Sequence, residues 1–219
     1  MIVLNLKTYA ESTGENAKRL LNAINQFVSD NPNLLDKIIV APSITDLFSV
    51  KQNYPNLHIA SQHVDNVAAG SSTGWVPADT LISYGVEYVI YNHSEHRVDQ
   101  NNIIENIKAL QSKGLKVIVG CENADEAANL LNAQPFAIAF EPKDLIGSGV
   151  SVTTRPEAVK SFIEVTAGKT NSLIGAGVST GEDVVNAKNL GAQGALLASA
   201  FVKAADPLEK LRELVTPFA

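Results

Sequence analysis

The chain has 219 residues, of which 45% are hydrophobic, and a formal net charge of −6. Its length suits one large domain or two small ones, and a negative charge without any basic block argues against a nucleic-acid-binding protein. A single cysteine excludes an intrachain disulfide, and no apolar stretch approaches the ~20 residues of a membrane span. Because no signal-peptide pattern is present either, we expect a cytoplasmic protein without a membrane partner.

Eight short runs rich in β-branched and apolar residues predict strands. None of them alternates between apolar and polar residues, and such runs are typical of strands that are covered on both faces, as in parallel sheets. The predicted strands are residues 2–6, 37–41, 58–61, 88–91, 116–120, 136–140, 172–175 and 195–198.

Amphipathic helical patterns lie between these strands. Eight β–α units in one chain favour a closed barrel over an open sheet, and no Gly-x-Gly-x-x-Gly motif follows the first strand. We therefore predict an α/β protein in which residues 1–219 form a single-domain (β/α)8 barrel. Its helices are predicted at residues 15–28, 101–113, 124–131, 154–166, 181–190 and 207–215, with shorter ones at 43–52 and 77–84.

Polar side chains stand at the ends of three predicted strands. Asn5 and Lys7 come from the first strand, His93 and Glu95 from the fourth, and Glu141 from the sixth. Because the carboxyl ends of barrel strands meet at one face, which carries the active site, we expect these side chains to converge. A carboxylate that leaves an apolar strand should be partly desolvated and therefore a stronger base. A base beside an imidazole and a cation indicates proton abstraction next to a carbonyl group.

The residues after His93 bear on its charge. Ser94 and Glu95 look like the start of a short helix, whose N-terminus would disfavour a protonated imidazole. A neutral imidazole can donate a proton to a carbonyl oxygen and take one back. The sequence thus predicts that His93 acts as a neutral proton donor.

Each of these residues also has a structural interpretation, which the sequence leaves open. His93 can be an ordinary structural histidine. Glu141 can form a buried ion pair with Lys7 or Arg97. Cys121, which follows the fifth strand without a histidine motif beside it, is interpreted as a structural residue.

Small residues follow the last two strands, at Gly177, Ala198 and Ser199. Their backbone N–H groups can approach phosphate oxygens because no bulky side chain blocks the way. The phosphate site of this fold lies after strands seven and eight, which favours a phosphate site over simple tight turns. The glycines at 147 and 149 can add a further donor if their loop folds over the site. The substrate class is therefore a small phosphorylated carbonyl compound.

Four segments resemble those of a known family. NLKTY at residues 5–9, NHSEHR at 92–97 and AFEPKDLIGSG at 139–149 resemble the Asn-x-Lys, Gly-His-Ser-Glu-Arg-Arg and Tyr-Glu-Pro…Ile-Gly-Thr-Gly segments of the triosephosphate isomerase family. DNVAAGSSTG at residues 65–74 is similar to the long third loop of that family. The resemblance runs nearly end to end, and the short chain resembles the compact archaeal branch.

This resemblance implies a TIM-barrel isomerase of glycolysis and gluconeogenesis that acts without a cofactor or metal. It implies interconversion of D-glyceraldehyde 3-phosphate and dihydroxyacetone phosphate through an enediolate. Glu141 would move the proton between carbons one and two, and His93 would polarise the carbonyl and move protons between the oxygens. Lys7 and Asn5 would stabilise the charged transition state, and Glu95 would orient Lys7 or His93.

The resemblance also implies a substrate lining, a lid and a subunit interface. The implied lining is Ile146, Gly147, Gly177, Ala198 and Ser199, and the implied lid hinges are Pro142, Gly147, Ser148 and Gly149. Thr73 would reach toward Asn5 and Lys7 of the partner subunit, which implies a homodimer or a homotetramer.

Several positions depart from the family pattern. His96 stands in place of an arginine, Ser148 in place of a threonine, and Ala198-Ser199 in place of a Gly-Gly pair. Asp144-Leu145 replaces an apolar lid segment that often holds a tryptophan, and the sequence does not explain the polarity of 143–145.

Two other functions are compatible with a phosphate-binding barrel. One is a different barrel enzyme, such as a pentulose-phosphate epimerase, which needs other acids, bases or metals at the strand ends than this chain supplies. The other is a non-catalytic phosphometabolite-binding barrel, against which the combination of Lys7, His93 and Glu141 argues.

Overall fold

The computed structural model describes residues 1–146 and 150–218, and within them eight parallel strands close into a barrel. Consecutive strands pair with one another, and the last strand pairs with the first. The predicted (β/α)8 barrel is therefore confirmed. The strands are β1 (Ile2–Asn5), β2 (Ile38–Ala41), β3 (His58–Ser61), β4 (Tyr88–Tyr91), β5 (Lys116–Cys121), β6 (Ala137–Phe140), β7 (Asn171–Ile174) and β8 (Gly194–Leu197).

Helices follow the strands and cover the outside of the barrel. Within the described ranges they are α1 (Ala17–Asp30), α2 (Leu47–Asn53), α3 (Ala78–Ser83), α4 (Ile103–Ser112), α5 (Ala124–Leu130), α6 (Pro156–Thr166), α7 (Gly181–Asn189), α8 (Ser199–Val202) and α9 (Pro207–Val215). None of these helices is both long and apolar enough to cross a membrane.

The predicted elements are present, with shifted ends. Each strand end lies within one residue of its prediction. Helix α1 starts two residues late because Gly14–Asn16 form a 3-10 turn first. The short helix α8 was not predicted, since its four residues are too few to show a helical period.

Apolar side chains fill two layers, which explains why the strands lack polar alternation. Residues such as Val3, Ile39 and Leu196 point into the barrel, while their neighbours Ile2, Val40 and Leu197 pack against the helices. Because all strands run in the same direction, their carboxyl ends form one rim. The residues that follow β1, β4, β6, β7 and β8 therefore meet at this rim.

Candidate active site

Glu141 follows β6 and is almost fully buried at the rim, with 3% of its side chain exposed. Its backbone N–H donates to the carbonyl of Cys121 at 2.8 Å, so the strand pairing of β5 and β6 continues into this residue. Gly175 leaves the space that the carboxylate occupies, since a Cβ atom there would lie 2.5 Å from Cγ of Glu141. The barrel thus holds a carboxylate at a defined place in a mostly apolar wall.

His93 faces this carboxylate across the mouth of the barrel. Its Nε2 lies 3.3 Å from Oε1 of Glu141, and both side chains are buried. Nε2 of His93 and Oε2 of Glu141 have no hydrogen-bond partner among the described residues. Buried polar atoms are nearly always paired, so two unpaired atoms in one place mark a site where a ligand supplies the missing partners.

The cations named as structural partners of Glu141 pair elsewhere. Nζ of Lys7 lies 2.7 Å from Oε1 of Glu95, and Arg97 forms an ion pair with Glu126. Within residues 1–146 and 150–218, Glu141 forms no ion pair with either cation. The interpretation of Glu141 as half of a structural salt bridge to Lys7 or Arg97 is therefore wrong.

The helix predicted after His93 is absent from this described segment. Residues 94–96 form a turn, in which the N–H of His96 donates to the carbonyl of His93 at 2.8 Å. The N–H of Glu95 donates to Nδ1 of His93 at 3.1 Å. Nδ1 is therefore an acceptor, and the proton of the neutral ring sits on Nε2, which faces Glu141.

The charge of His93 is set by opposing effects. Burial is the largest of them and lowers the pKa of His93, but the charge and close contact of Glu141, together with the charge of Glu95, outweigh it, so the pKa lies above the ordinary value of 6.5. The expected helix N-terminus is therefore absent, because a turn follows His93, and the carboxylate beside the ring acts on its pKa in the opposite direction.

We expect Glu141→Gln to lower the pKa of His93, because it removes the charge that raises this pKa and leaves the burial that lowers it. Histidine NMR titration of both proteins measures the shift. A pKa raised by folding adds stability below about pH 6.5 that is lost as pH rises through the folded value. The stability of the Glu141→Gln variant should therefore fall less as pH rises through this range. An unchanged pKa of His93 in the variant would contradict the interaction between Glu141 and His93.

The segment that carries His93 is anchored by Asn92. Asn92 has a φ of 57°, a left-handed conformation that asparagine tolerates better than most residues. Its side-chain amide donates to the carbonyl of Gly120 at 3.0 Å and to Oε1 of Glu126 at 3.3 Å. Its Oδ1 accepts from the N–H of Val98 at 3.2 Å. These bonds tie the end of β4 to β5 and α5.

Lys7 and Asn5 extend the site from β1. The N–H of Lys7 donates to Oδ1 of Asn5 at 3.0 Å, and Asn5 is buried. Glu95 contacts both Lys7 and His93, since its Oε1 accepts from Nζ of Lys7 and its Oε2 lies 3.7 Å from Nδ1 of His93. The five polar residues predicted to converge are therefore brought together at the rim.

A cavity of about 200 Å³ opens beside Glu141. Among the described residues, the N–H groups of Gly177, Ala198 and Ser199 donate to no other part of the chain. Gly177 has a φ of 68°, and a Cβ atom there would overlap the carbonyl of Val150. Of the predicted lining, Ile146, Gly177, Ala198 and Ser199 border the cavity, and the predicted catalytic residues Lys7 and Glu141 border it as well.

Several predicted residues fall in the segment that was predicted to form a lid. Gly147, Ser148 and Gly149, predicted as hinges and in part as substrate contacts, lie outside the described residues. Pro142 is buried directly after Glu141 and precedes a 3-10 turn formed by Lys143–Leu145.

The polarity of Lys143–Leu145 now has an explanation. Leu145 is buried, so the turn keeps one apolar contact with the core. Asp144 lies 2.5 Å from Nη2 of Arg155, which precedes α6, and this hydrogen bond holds the pKa of Asp144 below its usual value. A charged pair at the surface thus accounts for the polar residue at position 144.

Some bordering residues were missed by the sequence analysis. The cavity wall also includes Tyr9, Ser179 and Leu196. Gln62, which follows β3 and is neither charged nor small, contacts Lys7. The signal available was its place, since Gln62 is the first residue after a buried strand.

Other polar residues of the described segments have structural partners. His96, which replaces an arginine, stacks on His63 with ring centroids 4.0 Å apart, and burial and His63 lower the pKa of His96. Burial raises the pKa of the Cys121 thiol, which fits its structural interpretation. Within 1–146 and 150–218, no group of three or more histidine, cysteine, aspartate or glutamate residues could hold a metal ion.

Thr73 lies in an exposed loop between β3 and α3. Asp65 closes the loop at its base through two hydrogen bonds to Val76. The N–H of Asp65 donates to the carbonyl of Val76 at 2.8 Å, and Oδ2 of Asp65 accepts from the N–H of Val76 at 2.7 Å. Thr73 is exposed, and 56% of Trp75 is accessible to solvent.

Comparison with known proteins gives a consistent result. The family model for triosephosphate isomerase matches residues 1–216. The chain is 35% identical to triosephosphate isomerase of Thermoplasma volcanium over 216 residues, which cover 98% of both chains. It is 40% identical to the enzymes of that name from Methanothermus fervidus, covering 99% of this chain and 97% of the relative, and Methanosarcina acetivorans, covering 98% and 96%.

Proposed function

Because the chain belongs to the triosephosphate isomerase family, we propose that it interconverts D-glyceraldehyde 3-phosphate and dihydroxyacetone phosphate in glycolysis and gluconeogenesis. The observation that carries the proposal is the placement of Glu141 opposite His93 with a buried, unpaired atom on each side chain. A proton acceptor and a proton donor that lie 3.3 Å apart at the rim suit an aldose–ketose isomerisation, in which one proton changes carbon and the hydroxyl and carbonyl oxygens exchange roles.

Glu141 is the proposed base. Its carboxylate takes a proton from carbon one of dihydroxyacetone phosphate, which leaves an enediolate, and the proton returns to carbon two. A single carboxylate can serve both carbons because they are adjacent. The rigid attachment of Glu141 to the end of β6 supports this role, since the base must stay in place while the proton is held.

His93 is the proposed proton donor to the substrate oxygens. The proton on Nε2 of the neutral ring points toward the space in front of Glu141. A substrate carbonyl oxygen that binds Nε2 would separate His93 from the carboxylate and weaken the effect that raises its pKa. The ring then polarises the carbonyl and moves protons between the two oxygens.

Lys7 is proposed to bind the substrate and to stabilise the enediolate through its positive charge. Asn5 and Glu95 are proposed to position Lys7. Asn5 accepts a hydrogen bond from the backbone N–H of Lys7, and Glu95 accepts one from its Nζ. The phosphate group is proposed to bind at the N–H groups of Gly177, Ala198 and Ser199. Their freedom from other hydrogen bonds among the described residues supports this assignment.

Ile146 and Gly147 are proposed to contact the substrate from the lid, whose hinges are Pro142 and the three residues 147–149. A closed lid would exclude water from the enediolate, which could otherwise lose its phosphate. The position of Ile146 at the cavity wall, five residues beyond the base, supports a lid in this part of the chain.

Thr73 is proposed to contact Asn5 and Lys7 of the partner subunit in a homodimer or homotetramer. The exposed loop and its solvent-accessible Trp75 support an interface, because large exposed aromatic side chains are typical of contact surfaces. The cytoplasmic location expected from the sequence, with no nucleic-acid or membrane partner, stays a prediction, as does the absence of a cofactor.

We expect light scattering to give a mass of at least twice the 23.3 kDa of one chain. Thr73→Arg should lower both this mass and kcat, because the added charge faces Lys7 of the partner subunit. A wild-type protein that is monomeric and fully active would contradict the interface.

A coupled assay tests the function itself. Glyceraldehyde 3-phosphate is supplied, and the dihydroxyacetone phosphate formed is reduced by a second enzyme with loss of NADH absorbance. A rate that is proportional to the amount of the protein supports the proposal. Absence of turnover, with the phosphate ester still bound, would instead favour a non-catalytic binding protein.

A further inference from the structure

The backbone of Lys7 adopts a conformation that needs support. Its φ is 49°, in the left-handed region that residues with a Cβ atom seldom occupy outside functional sites. Asn5 holds one side of this residue by accepting its N–H at 3.0 Å. The other side, the carbonyl of Lys7, is held by Gln62, whose amide nitrogen donates to it at 2.9 Å.

Gln62 uses its amide twice. The same nitrogen donates to the carbonyl of Ala41, at the end of β2, at 3.0 Å. That carbonyl also accepts the N–H of Leu6 at 2.9 Å, which continues the pairing of β1 with β2. From its place after β3, the half-buried side chain therefore spans β2 and reaches the chain where it leaves β1.

The chemistry of glutamine suits this task. A primary amide carries two hydrogens without a charge, so it can satisfy two carbonyl groups beside an ammonium group without repelling it. Glutamate would present acceptors to both carbonyls, and a shorter asparagine could not span the same distance. Both hydrogen bonds therefore depend on the amide donors and the length of Gln62, and a side chain of similar volume without these donors could not replace it.

We propose that Gln62 is a positioning residue for Lys7. It holds the left-handed backbone, so that Nζ lies at Glu95 and borders the substrate cavity. Without the amide, Lys7 relaxes toward an ordinary conformation, and its ammonium group leaves the cavity. The inference rests on the proposed function, in which Lys7 binds the substrate and stabilises the enediolate.

Kinetics of Gln62→Met provide the test, because methionine keeps the length of the side chain and lacks the donors. We expect kcat/KM to fall by about 10²-fold, the typical cost of a misplacement near 1 Å, with an increase in KM. Gln111→Met is the matched control. The Gln111 amide also donates to a carbonyl, that of Ala133 at 2.9 Å, and it lies outside the site, so its loss should leave kcat and KM near those of the wild type.

A double-mutant cycle separates positioning from general stabilisation. If Gln62 acts through Lys7, Gln62→Met in a Lys7→Met background changes kcat/KM by less than about 2-fold, because the interaction is already lost. An equal factor in both backgrounds would overturn the inference. A crystal structure of Gln62→Met should show Lys7 outside the left-handed region, and a φ still near 49° with unchanged KM would also overturn it.

The outcomes also separate this inference from the proposed function. A wild-type protein without isomerase turnover would refute the function. Wild-type turnover together with unchanged kinetics of Gln62→Met would refute only the role of Gln62. Should Gln62→Met fail to fold, Gln62→Glu serves in its place, since it keeps the shape and exchanges the donors for acceptors; near-normal KM and kcat in that variant would overturn the inference.

Discussion

Glu141→Gln is expected to lower kcat by about 10²- to 10⁴-fold, the usual contribution of a general base, while substrate binding is largely kept. Glutamine has the shape of glutamate, so the cavity stays intact, but its amide cannot accept the proton from carbon. Steady-state kinetics give kcat, and binding of a non-reacting phosphate ester by calorimetry gives the affinity. Near-normal turnover would show that another group is the base.

The chain contains a matched control for this experiment. Glu87 also faces a histidine, with its Oε2 3.2 Å from Nδ1 of His58, but at the opposite end of the barrel strands. This second pair is more accessible, with 38% of the Glu87 side chain exposed. Glu87→Gln should therefore leave kcat unchanged, and an equal loss in both variants would point to a general defect in folding.

Gly175→Ala is expected to lower kcat by about 10²-fold without preventing folding. The added Cβ would lie 2.5 Å from Cγ of Glu141, so the carboxylate must move away from its place opposite His93. A shift of about 1 Å in a reacting group has an effect of this size. Kinetics measure the loss, and a crystal structure of the variant should show Glu141 displaced.

Gly181→Ala is the corresponding control, because its Cβ would also meet a glutamate, lying 2.9 Å from Cγ of Glu213. Glu213 lies on α9, outside the site, so this variant should keep the wild-type kcat. If Gly175→Ala has normal kcat while Glu141→Gln does not, the position of the carboxylate is less critical than its chemistry.

The order and kind of the strands could be predicted because burial on both faces leaves a strong local signal. Glu141, His93 and Lys7 could be assigned to one rim for the same reason, since each follows a strand whose direction is set by the fold. The short α8 left no such signal, because four residues do not complete a pattern.

The environment of these residues was harder to predict, because it depends on contacts between distant segments. The sequence suggests a helix after His93, whereas the turn lets the N–H of Glu95 meet Nδ1. The polarity of residues 143–145 depends on a distant residue, since Arg155 forms an ion pair with Asp144. The left-handed backbone conformation of Lys7 could not be predicted from the sequence, because lysine rarely adopts it and neither composition nor hydrophobic periodicity indicates it.

The unpaired buried atoms of Glu141 and His93 have a consequence for the evolution of this fold. Burying a carboxylate and an imidazole in an apolar wall costs free energy that apolar side chains would not cost, so these two residues make the rim less stable than the core allows. Selection for stability alone would replace both residues with apolar ones and close the cavity. Apolar replacements at these two positions should therefore raise heat resistance at the expense of turnover.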